Sequence, residues 1–274
     1  MERFPPYVHS GDATHLRMTD AAIALLPAAA GAVWFFGSRG ALVLAAALAG
    51  SLVAEALWAR LGRGSLRDGS AAVTGLLLGL LLPASCPWWA AMLGGVLAIS
   101  CKALSGGLGR NLLNPAILGR MLLLPLCPAV PPGDGPYLMA HLGGALGEAS
   151  SLLLLAGAVY LALRRLLPWA VTVPYLAAAV VAGTCLGAAP TAVLCWGGTA
   201  LGACFLTADP VTSPMDLRMR VVYGIAAGGG GAALAWLGWG AAGVAAAVLV
   251  AGPLLRGAET LLLRRVLHGA AAEN

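Results

Sequence analysis

The chain has 274 residues, of which 60% are hydrophobic and only 10% are charged, with a formal net charge of +5. Soluble domains carry about 25% charged residues, so this composition excludes an ordinary water-soluble protein and predicts an integral membrane protein. The basic residues are scattered among the loops and form no run interleaved with aromatic residues, which excludes nucleic acid as a partner and leaves the lipid bilayer as the first one.

Apolar runs separated by polar breaks predict about ten transmembrane helices. In chain order they are 21–36, 41–58, 71–82, 88–100, 112–126, 149–163, 169–186, 191–206, 221–237 and 241–255. Several are shorter than the ~20 residues that a straight helix needs to cross the hydrocarbon core. The predicted fold class is an all-α integral membrane protein with a single polytopic domain, an N-terminal segment 1–20 and a tail 256–274.

The distribution of basic residues predicts the orientation of these helices. If residues 1–20 lie in the cytoplasm, the even-numbered loops are also cytoplasmic, whereas the opposite loops carry Arg39 and almost no other basic residue. The positive-inside rule then predicts ten spans with both termini cytoplasmic. The basic residues of the even-numbered loops are Arg60, Arg63, Arg67, Lys102, Arg110, Arg164, Arg165, Arg218 and Arg220.

Ten spans divide into two sets of five, 21–126 and 149–255. Because each set has an odd number of spans, the second repeat is predicted to run inverted relative to the first. Spans three and eight occupy matched positions: span three is short, and span eight contains Gly197 and Gly198. Short or glycine-interrupted segments at matched positions indicate a binding site near the midplane, although glycines that only let helices pack closely give the same pattern.

The start of span three is the first candidate binding segment. Asp68 or Ser70 can cap the helix, and Ser70 and Thr74 lie one turn apart on one helix face. Such a face can hydrogen-bond a polar ligand inside the bundle.

The glycine-rich segment 106–115 is the second candidate, and it ends in Asn111, Asn114 and Pro115. It lacks the spacing and the Lys-Ser/Thr pair of a phosphate-binding P-loop. Capping of span five explains Asn114, because proline is favoured at the first helical position. The two amides together with Arg110 would also suit a ligand carbonyl or a ring imide.

The polar segment 206–214, LTADPVTSP, is the third candidate. Asp209, Thr212 and Ser213 lie there between two apolar runs, and membrane proteins keep such polar clusters where a ligand binds or passes. The Asp209 carboxylate can coordinate a cation, bind a ligand or cap the next helix. Glu148 opens span six, where the helix dipole favours an acid, and a proton or cation role is the alternative.

The remaining reactive residue types predict no further chemistry. The six cysteines include no CxxC pair and are interpreted as free, apolar thiols. The four histidines show no spacing typical of metal ligands, so no metal site is predicted. No arrangement of nucleophile, base and acid is visible, and no catalytic residue is predicted.

These motifs carry a family resemblance over nearly the whole chain. The chain is similar to the D subunits of Rnf ion-translocating oxidoreductase complexes, which are related to the B subunits of the sodium-translocating NADH:quinone reductases. The matching segments are SGD at 10–12, ALLPA at 24–28, DGSA at 68–71, VTGLLL at 73–78, the 106–115 loop with its NPA, GEAS at 147–150 and TADPVTSP at 207–214.

The resemblance implies a multi-pass protein of the bacterial inner membrane, with ten spans in two inverted halves. Members pass electrons between a low-potential carrier such as ferredoxin and NAD, coupled to sodium or proton movement. The implied partners are other membrane proteins of the complex and its iron–sulfur and flavoprotein components, so the chain is not catalytic alone. The implied cofactors are an FMN attached through its phosphate to a threonine in the outer loop after span five and, in some members, a riboflavin within the helices.

The chain departs from this pattern in that outer loop, because residues 127–147 contain no threonine. No covalent attachment residue is therefore predicted, and FMN or riboflavin is expected to bind non-covalently. Two other functions stay open: a flavin-free channel or transporter for a small solute, since the fold resembles that of urea-type channels, and a scaffold role within the complex. The predicted cofactor-binding residues are Asp68, Ser70, Thr74, Asn111, Asn114, Asp209, Thr212 and Ser213.

Overall fold

The computed structural model describes residues 11–65, 68–106, 111, 113–131, 143–209 and 211–272, with side chains for those between 15 and 262. In these ranges the regular structure is helical, and the extended pairing is one isolated antiparallel bridge between Pro83 and Ala145. The predicted all-α class is confirmed. Arg67 and Arg110, used above for the orientation, lie outside the described residues.

The first half contains four helices, of which the first is broken. Helix α1 is non-helical at Gly37, where φ is 63° and ψ is −145°, so it consists of two arms that match the first two predicted spans. The positive φ is a conformation that glycine adopts without the steric cost of a Cβ atom. The helices are α1 (Gly11–Arg60), α2 (Ser70–Leu81), α3 (Trp88–Leu104) and α4 (Pro115–Leu122).

The second half opens with a short 3-10 helix and continues through six α-helices, two of which run into π-helical turns. In chain order these are the 3-10 helix Leu146–Glu148, α5 (Ser151–Leu163), α6 (Trp169–Cys185), α7 (Pro190–Cys195), α8 (Gly197–Leu201) with the π turn Gly202–Leu206, α9 (Leu217–Leu234) with the π turn Ala235–Trp239, and α10 (Gly240–Ala272).

Spans five and eight are shorter or less continuous in the structure than predicted. Span five was expected over 112–126, but α4 ends at Leu122, since Pro125 disfavours the helical conformation at the residue before it. Span eight is divided into α7 and α8 by Trp196, which is extended with ψ of 129°. Its glycines begin α8 and do not lie in the middle of a helix.

Two helical stretches of 46 residues, His15–Arg60 and Leu217–Leu262, are long and apolar enough to cross a membrane by length and composition. The shorter apolar helices have 10–17 residues. The exposed surface carries many large apolar side chains, such as Trp34 at 84% and Val181 at 63% exposed. An apolar exterior of this kind suits a lipid environment.

Glycines allow the main helix pairs to approach closely. A Cβ atom at Gly50 of α1 would lie 2.1 Å from the carbonyl oxygen of Met92 in α3, and one at Gly228 of α9 would lie 2.2 Å from that of Tyr175 in α6. Close approach at small residues is the usual basis of helix association in membranes, where apolar burial gives little driving force. Glycines such as Gly50 and Gly228 therefore allow close helix packing, which is the alternative explanation given above for the glycines of span eight.

A disulfide joins Cys86, in the loop between α2 and α3, to Cys127, after α4, with a Cα–Cα distance of 5.3 Å. The interpretation of all six cysteines as free thiols was wrong for this pair. The two are 41 residues apart in sequence, so only the fold brings them together. Cys101, Cys185, Cys195 and Cys204 are free.

Candidate functional site

A cavity of about 740 Å³ lies where the loops of the two halves meet. Ligand pockets typically span ~300–1,000 Å³, so this one can hold a molecule of cofactor size. Its walls include apolar side chains such as Leu25, Val73, Leu77 and Phe205. Six of the eight predicted binding residues line it: Ser70, Thr74, Asn111, Asn114, Asp209 and Ser213.

The other two predicted residues, Asp68 and Thr212, do not line the cavity but hydrogen-bond to residues that do. The Asp68 carboxylate accepts hydrogen bonds from the Ser70 backbone N–H at 3.0 Å and from its hydroxyl at 2.7 Å. Thr212 donates its hydroxyl proton to Asp209 Oδ2 at 3.3 Å. Neither Asp68 nor Thr212 is among the lining residues, so their roles are to orient side chains that are.

A buried ion pair beside the cavity was not predicted. Lys102 Nζ lies 2.8 Å from Glu55 Oε2, and the two side chains are only 3% and 1% exposed. Lys102 also donates to the Ser70 hydroxyl at 2.7 Å, and Glu55 accepts from the Ser65 backbone N–H at 3.0 Å. Sequence analysis placed Lys102 in a loop, but α3 extends to Leu104 and buries it. Ionisable residues inside apolar runs, as Glu55 is, were the signal that could have identified the pair.

Asn114 performs the capping role expected of it and also reaches the other half of the chain. Its Oδ1 accepts from the backbone N–H groups of Ala116 at 3.0 Å and Ile117 at 3.5 Å, which caps α4. Its Nδ2 donates to Asp209 Oδ2 at 3.4 Å. Two motifs that are 95 residues apart therefore meet directly at the cavity.

Asn111 keeps a free acceptor at the cavity wall. Its side chain is only 4% exposed, and its Nδ2 donates to the Leu113 carbonyl at 3.2 Å. Its Oδ1 has no hydrogen-bond partner among the described residues. A buried polar atom without a partner costs about 1–3 kcal/mol, so a donor supplied by a ligand would be favourable at this point.

Internal hydrogen bonds fold the 207–214 segment into a compact loop. Asp209 Oδ1 accepts from the Val211 backbone N–H at 3.0 Å, and the Ser213 hydroxyl donates to the Thr207 carbonyl at 2.9 Å. Burial raises the pKa of the Asp209 carboxyl above its ordinary value, although hydrogen bonds from Val211 and Thr212 and the charge of Arg256 act in the opposite direction. Asp209 thus organises the loop and presents an acid to the cavity.

Glu148 is fully buried away from the cavity. Its Oε2 accepts from the Ala145 backbone N–H at 3.2 Å, and its Oε1 has no partner within the part of the chain that is described. Arg120, 2% exposed, donates to the carbonyls of Cys127 at 2.8 Å and Pro128 at 3.3 Å. The structure therefore does not bring Glu148 together with the predicted binding residues.

The cavity lining offers amides, hydroxyls, one carboxylate and the basic side chains of Arg17, Lys102, Arg165 and Arg220 on an apolar background. In the described segments no group of three or more His, Cys, Asp or Glu residues is placed to hold a metal ion. The outer loop 127–147, where the resemblance implies an attachment threonine, includes residues 132–142, which lie outside the described ranges.

Comparison with known proteins agrees with the resemblance found in the motifs. The model of the NQR2, RnfD, RnfE family matches residues 2–131 and 135–256. The chain is 31% identical to the D subunit of the Na(+)-translocating ferredoxin:NAD(+) oxidoreductase complex of Acetobacterium woodii, with 81% of each chain covered. It is also 31% identical to the D subunit of the ion-translocating oxidoreductase complex of Escherichia coli O139:H28, covering 90% of this chain and 92% of that one. The chain therefore belongs to the NQR2, RnfD, RnfE family.

Proposed function

We propose that this chain is a membrane component of an Rnf-type ion-translocating oxidoreductase complex and carries electrons on a flavin bound non-covalently in the cavity. Membership of the family and the names of the relatives support the complex. The observation that supports the flavin is the buried Oδ1 of Asn111, which has no hydrogen-bond partner among the described residues and lies at the wall of a cavity of about 740 Å³. A bound flavin would accept and donate electrons one or two at a time.

The lining residues fit an isoalloxazine ring chemically. The ring carries an imide N–H, which needs an acceptor such as Asn111 Oδ1, and two carbonyls, which need donors such as the hydroxyl of Thr74. The apolar side chains Val73 and Phe205 are suited to contact its faces. Asp209 holds the 207–214 loop in place through Val211 and Thr212. The chain's own contribution is thus to bind and orient the ring and to exclude water.

We further propose ten spans in two inverted repeats. The pairing of helices supports this arrangement: the second arm of α1 packs on α3, as α6 packs on α9 in the second repeat. The first arm of α1 meets α5, where a Cβ atom at Gly157 would lie 2.0 Å from the carbonyl oxygen of Ala24. First spans of two repeats are expected to meet in this way about a pseudo-two-fold axis.

The proposed setting is a bacterial inner membrane with both termini in the cytoplasm. Cys86 and Cys127 then lie on the outer side, where disulfides persist, and the cavity opens toward the cytoplasm. Partner proteins with iron–sulfur clusters and flavins would deliver and remove the electrons, coupled to sodium or proton movement.

A flavin spectrum of the purified chain tests the proposal. We expect flavin absorbance in the native protein and its release into the supernatant on acid precipitation. Flavin that stays with the precipitate would indicate a covalent attachment. Absence of flavin would contradict the proposal and favour a solute channel or a scaffold role.

The variant Asn111→Leu sharpens this test because it removes from the cavity wall an acceptor that no described residue satisfies. We expect it to lower the flavin content at least about tenfold, since the imide would lose its partner in a buried site. Ser51→Ala is the matched control: the Ser51 hydroxyl is also buried without a partner among the described residues, but it does not line the cavity. Equal loss of flavin in both variants would count against the assignment of Asn111.

A further inference from the structure

The contact between α5 and the first arm of α1, the first helices of the two halves, changes in character along its length. In its apolar part the backbones nearly touch, because a Cβ atom at Gly157 would overlap the Ala24 carbonyl oxygen and one at Gly31 would overlap a methyl carbon of Leu153. Residues 13–23 and 158–166, at the other end of this contact, contain no glycine. Polar side chains join the two helices there.

Asp20 of α1 makes this polar connection through three hydrogen bonds from α5 and its C-cap. Its Oδ1 accepts from the Tyr160 hydroxyl at 2.7 Å and from Arg164 Nε at 3.1 Å, and its Oδ2 accepts from Arg164 Nη2 at 3.0 Å. Two parallel bonds between a guanidinium and a carboxylate fix the geometry of both groups. Asp20 is only 7% exposed, and a carboxylate at such a position among apolar helices indicates a specific role.

The cluster of Asp20, Tyr160 and Arg164 borders the cavity described above. The three residues are not themselves among the lining residues. Their close neighbours in α1 and at the end of α5 do line the wall, namely Arg17, Ala21, Leu161 and Arg165. The cluster therefore joins the two helices at the edge of the cavity without occupying it.

The two ion pairs of the described residues differ in their exposure to water. Lys102 and Glu55 pair within the first half, with side chains 3% and 1% exposed. The Arg164 side chain is 51% exposed and that of Asp20 is 10% exposed. A pair in contact with water contributes little net free energy, because water solvates the separated groups. Asp20 and Arg164 can therefore separate and re-form at small cost, which a fully buried pair cannot.

Backbone contacts hold the two halves together at the end of α2 that is far from the cavity residue Ser70. The N–H of Leu146 donates to the Leu82 carbonyl at 2.8 Å. A Cβ atom at Gly197 of α8 would lie 2.7 Å from the Cα atom of Glu148. Such close contacts leave little room for displacement, so the halves can move apart more easily at the cavity than at this end.

We propose that Asp20, Tyr160 and Arg164 form a latch that holds α1 and α5 together beside the cavity, and that a ligand of cofactor size enters and leaves when the latch opens. The ends of the two helices near the cavity then part, while the far ends of the halves stay fixed. The inference concerns access to the cavity and goes beyond the proposed function, because the latch acts in the same way on a flavin and on any other ligand of that size.

Cys204 provides a native reporter of access, because it lines the cavity and is only 5% exposed. When the other three free cysteines of the full-length protein are replaced by serine, Cys204 is the one free thiol, since the remaining two cysteines form the disulfide. The rate of its modification in detergent is measured with a bulky fluorescein maleimide and with a small methanethiosulfonate.

The variant Asp20→Asn tests the latch because a neutral amide cannot pair with the Arg164 guanidinium. We expect the rate with the bulky maleimide to rise at least about tenfold, since a charge-assisted bidentate pair is lost, and the rate with the small reagent to rise less. Added salt should raise the wild-type rate with the maleimide and leave that of Asp20→Asn unchanged, because ions screen the half-exposed pair.

Asp216→Asn is the matched control, because it removes the same charge from a carboxylate that caps α9 and lies outside the latch. Its rates should equal those of the wild type. The double variant Asp20→Asn with Arg164→Gln should react no faster than Asp20→Asn alone, as expected for two partners of one interaction.

A maleimide rate in Asp20→Asn equal to that of the wild type, or an equal rise in Asp216→Asn, would overturn the latch. If Asp20→Asn does not elute as a folded protein in size-exclusion chromatography, Tyr160→Phe takes its place. That variant removes one of the three donors to Asp20 and should give a smaller rise, and no rise would also overturn the latch. The proposed function is tested separately by the flavin spectrum and stands or falls independently of these rates.

Discussion

At the scale of single residues, the observed hydrogen bonds can be compared with the residues that the motifs selected as ligand-binding. Asp68, Asn114 and Thr212 were selected as ligand-binding residues, and each bonds to another residue of the cavity region: Asp68 to Ser70, and Asn114 and Thr212 to Asp209. The motifs selected residues that the fold brings together, because polar groups are scarce among apolar runs. They could not assign which atoms face the cavity, since that depends on contacts between residues far apart in the chain.

Asp209 is the residue at which a single substitution should have the largest effect. In Asp209→Asn, an NH₂ group replaces an acceptor that now receives bonds from Asn114 and Thr212. The new NH₂ group would then face N–H and O–H donors instead of accepting from them. Hydrogen bonds to charged groups contribute about 1.5–3 kcal/mol in buried sites, and the contribution is smaller here because the Asp209 side chain is half-buried. We expect the flavin content and the electron-transfer activity of the complex to fall together, measured by absorbance and by reduction of NAD.

Asp216→Asn is the control for this variant. Asp216 is exposed and caps α9 by accepting from the backbone N–H groups of Arg218 and Met219. Asparagine is an equally good cap, so flavin content and activity should not change. If Asp209→Asn behaves as this control does, the 207–214 loop has no part in binding the flavin.

At the scale of elements, hydrophobic runs predicted where helices lie better than where they end. The first two spans are continuous in α1 apart from the break at Gly37, and Pro27 is tolerated within it. Proline is accommodated in membrane helices when neighbouring groups satisfy the freed carbonyl. The end of α4 and the start of α8 depend on Pro125 and on the extended Trp196, which local hydrophobicity does not reveal.

The disulfide Cys86–Cys127 ties two loops to each other and is expected to stabilise the elements around them. Cys127 also offers its carbonyl to the buried Arg120 at 2.8 Å. In the chain-entropy model, a loop of about 40 residues closed by a disulfide contributes up to about 4 kcal/mol. We therefore expect Cys86→Ser and wild-type protein treated with reductant to unfold at a lower temperature, measured by thermal denaturation in detergent.

The control for the disulfide is Cys185→Ser, which replaces an exposed free cysteine. Its thermal midpoint should match that of the wild type, and it should remain sensitive to reductant. A wild-type midpoint that is independent of reductant under unfolding conditions would contradict a stabilising role for the Cys86–Cys127 bond.

At the scale of the whole molecule, composition was sufficient to predict a helical membrane protein, because too few charged residues are present to cover a water-facing surface. The motifs predicted the family. Local sequence could single out Glu55 as an ionisable residue in an apolar run, but not its pairing with Lys102 or the position of Arg17, Arg165 and Arg220 at the cavity, because these contacts join residues from different helices. The positions of these residues depend on how the helices pack at glycine contacts. The sequence of each separate segment does not indicate which other helix it contacts.

The proposed orientation of the molecule makes a prediction about both chain ends. Two repeats of five spans place the termini on the same side, and the positive-inside rule places that side in the cytoplasm. Fusions of a reporter that is active only in the cytoplasm, and of one active only outside, should therefore show both termini of this chain to be cytoplasmic. A fusion within the α2–α3 loop, beside Cys86, should report the outer side and serves as the internal control. Termini on opposite sides would require an odd number of spans, and one of the two repeats would then lack a helix.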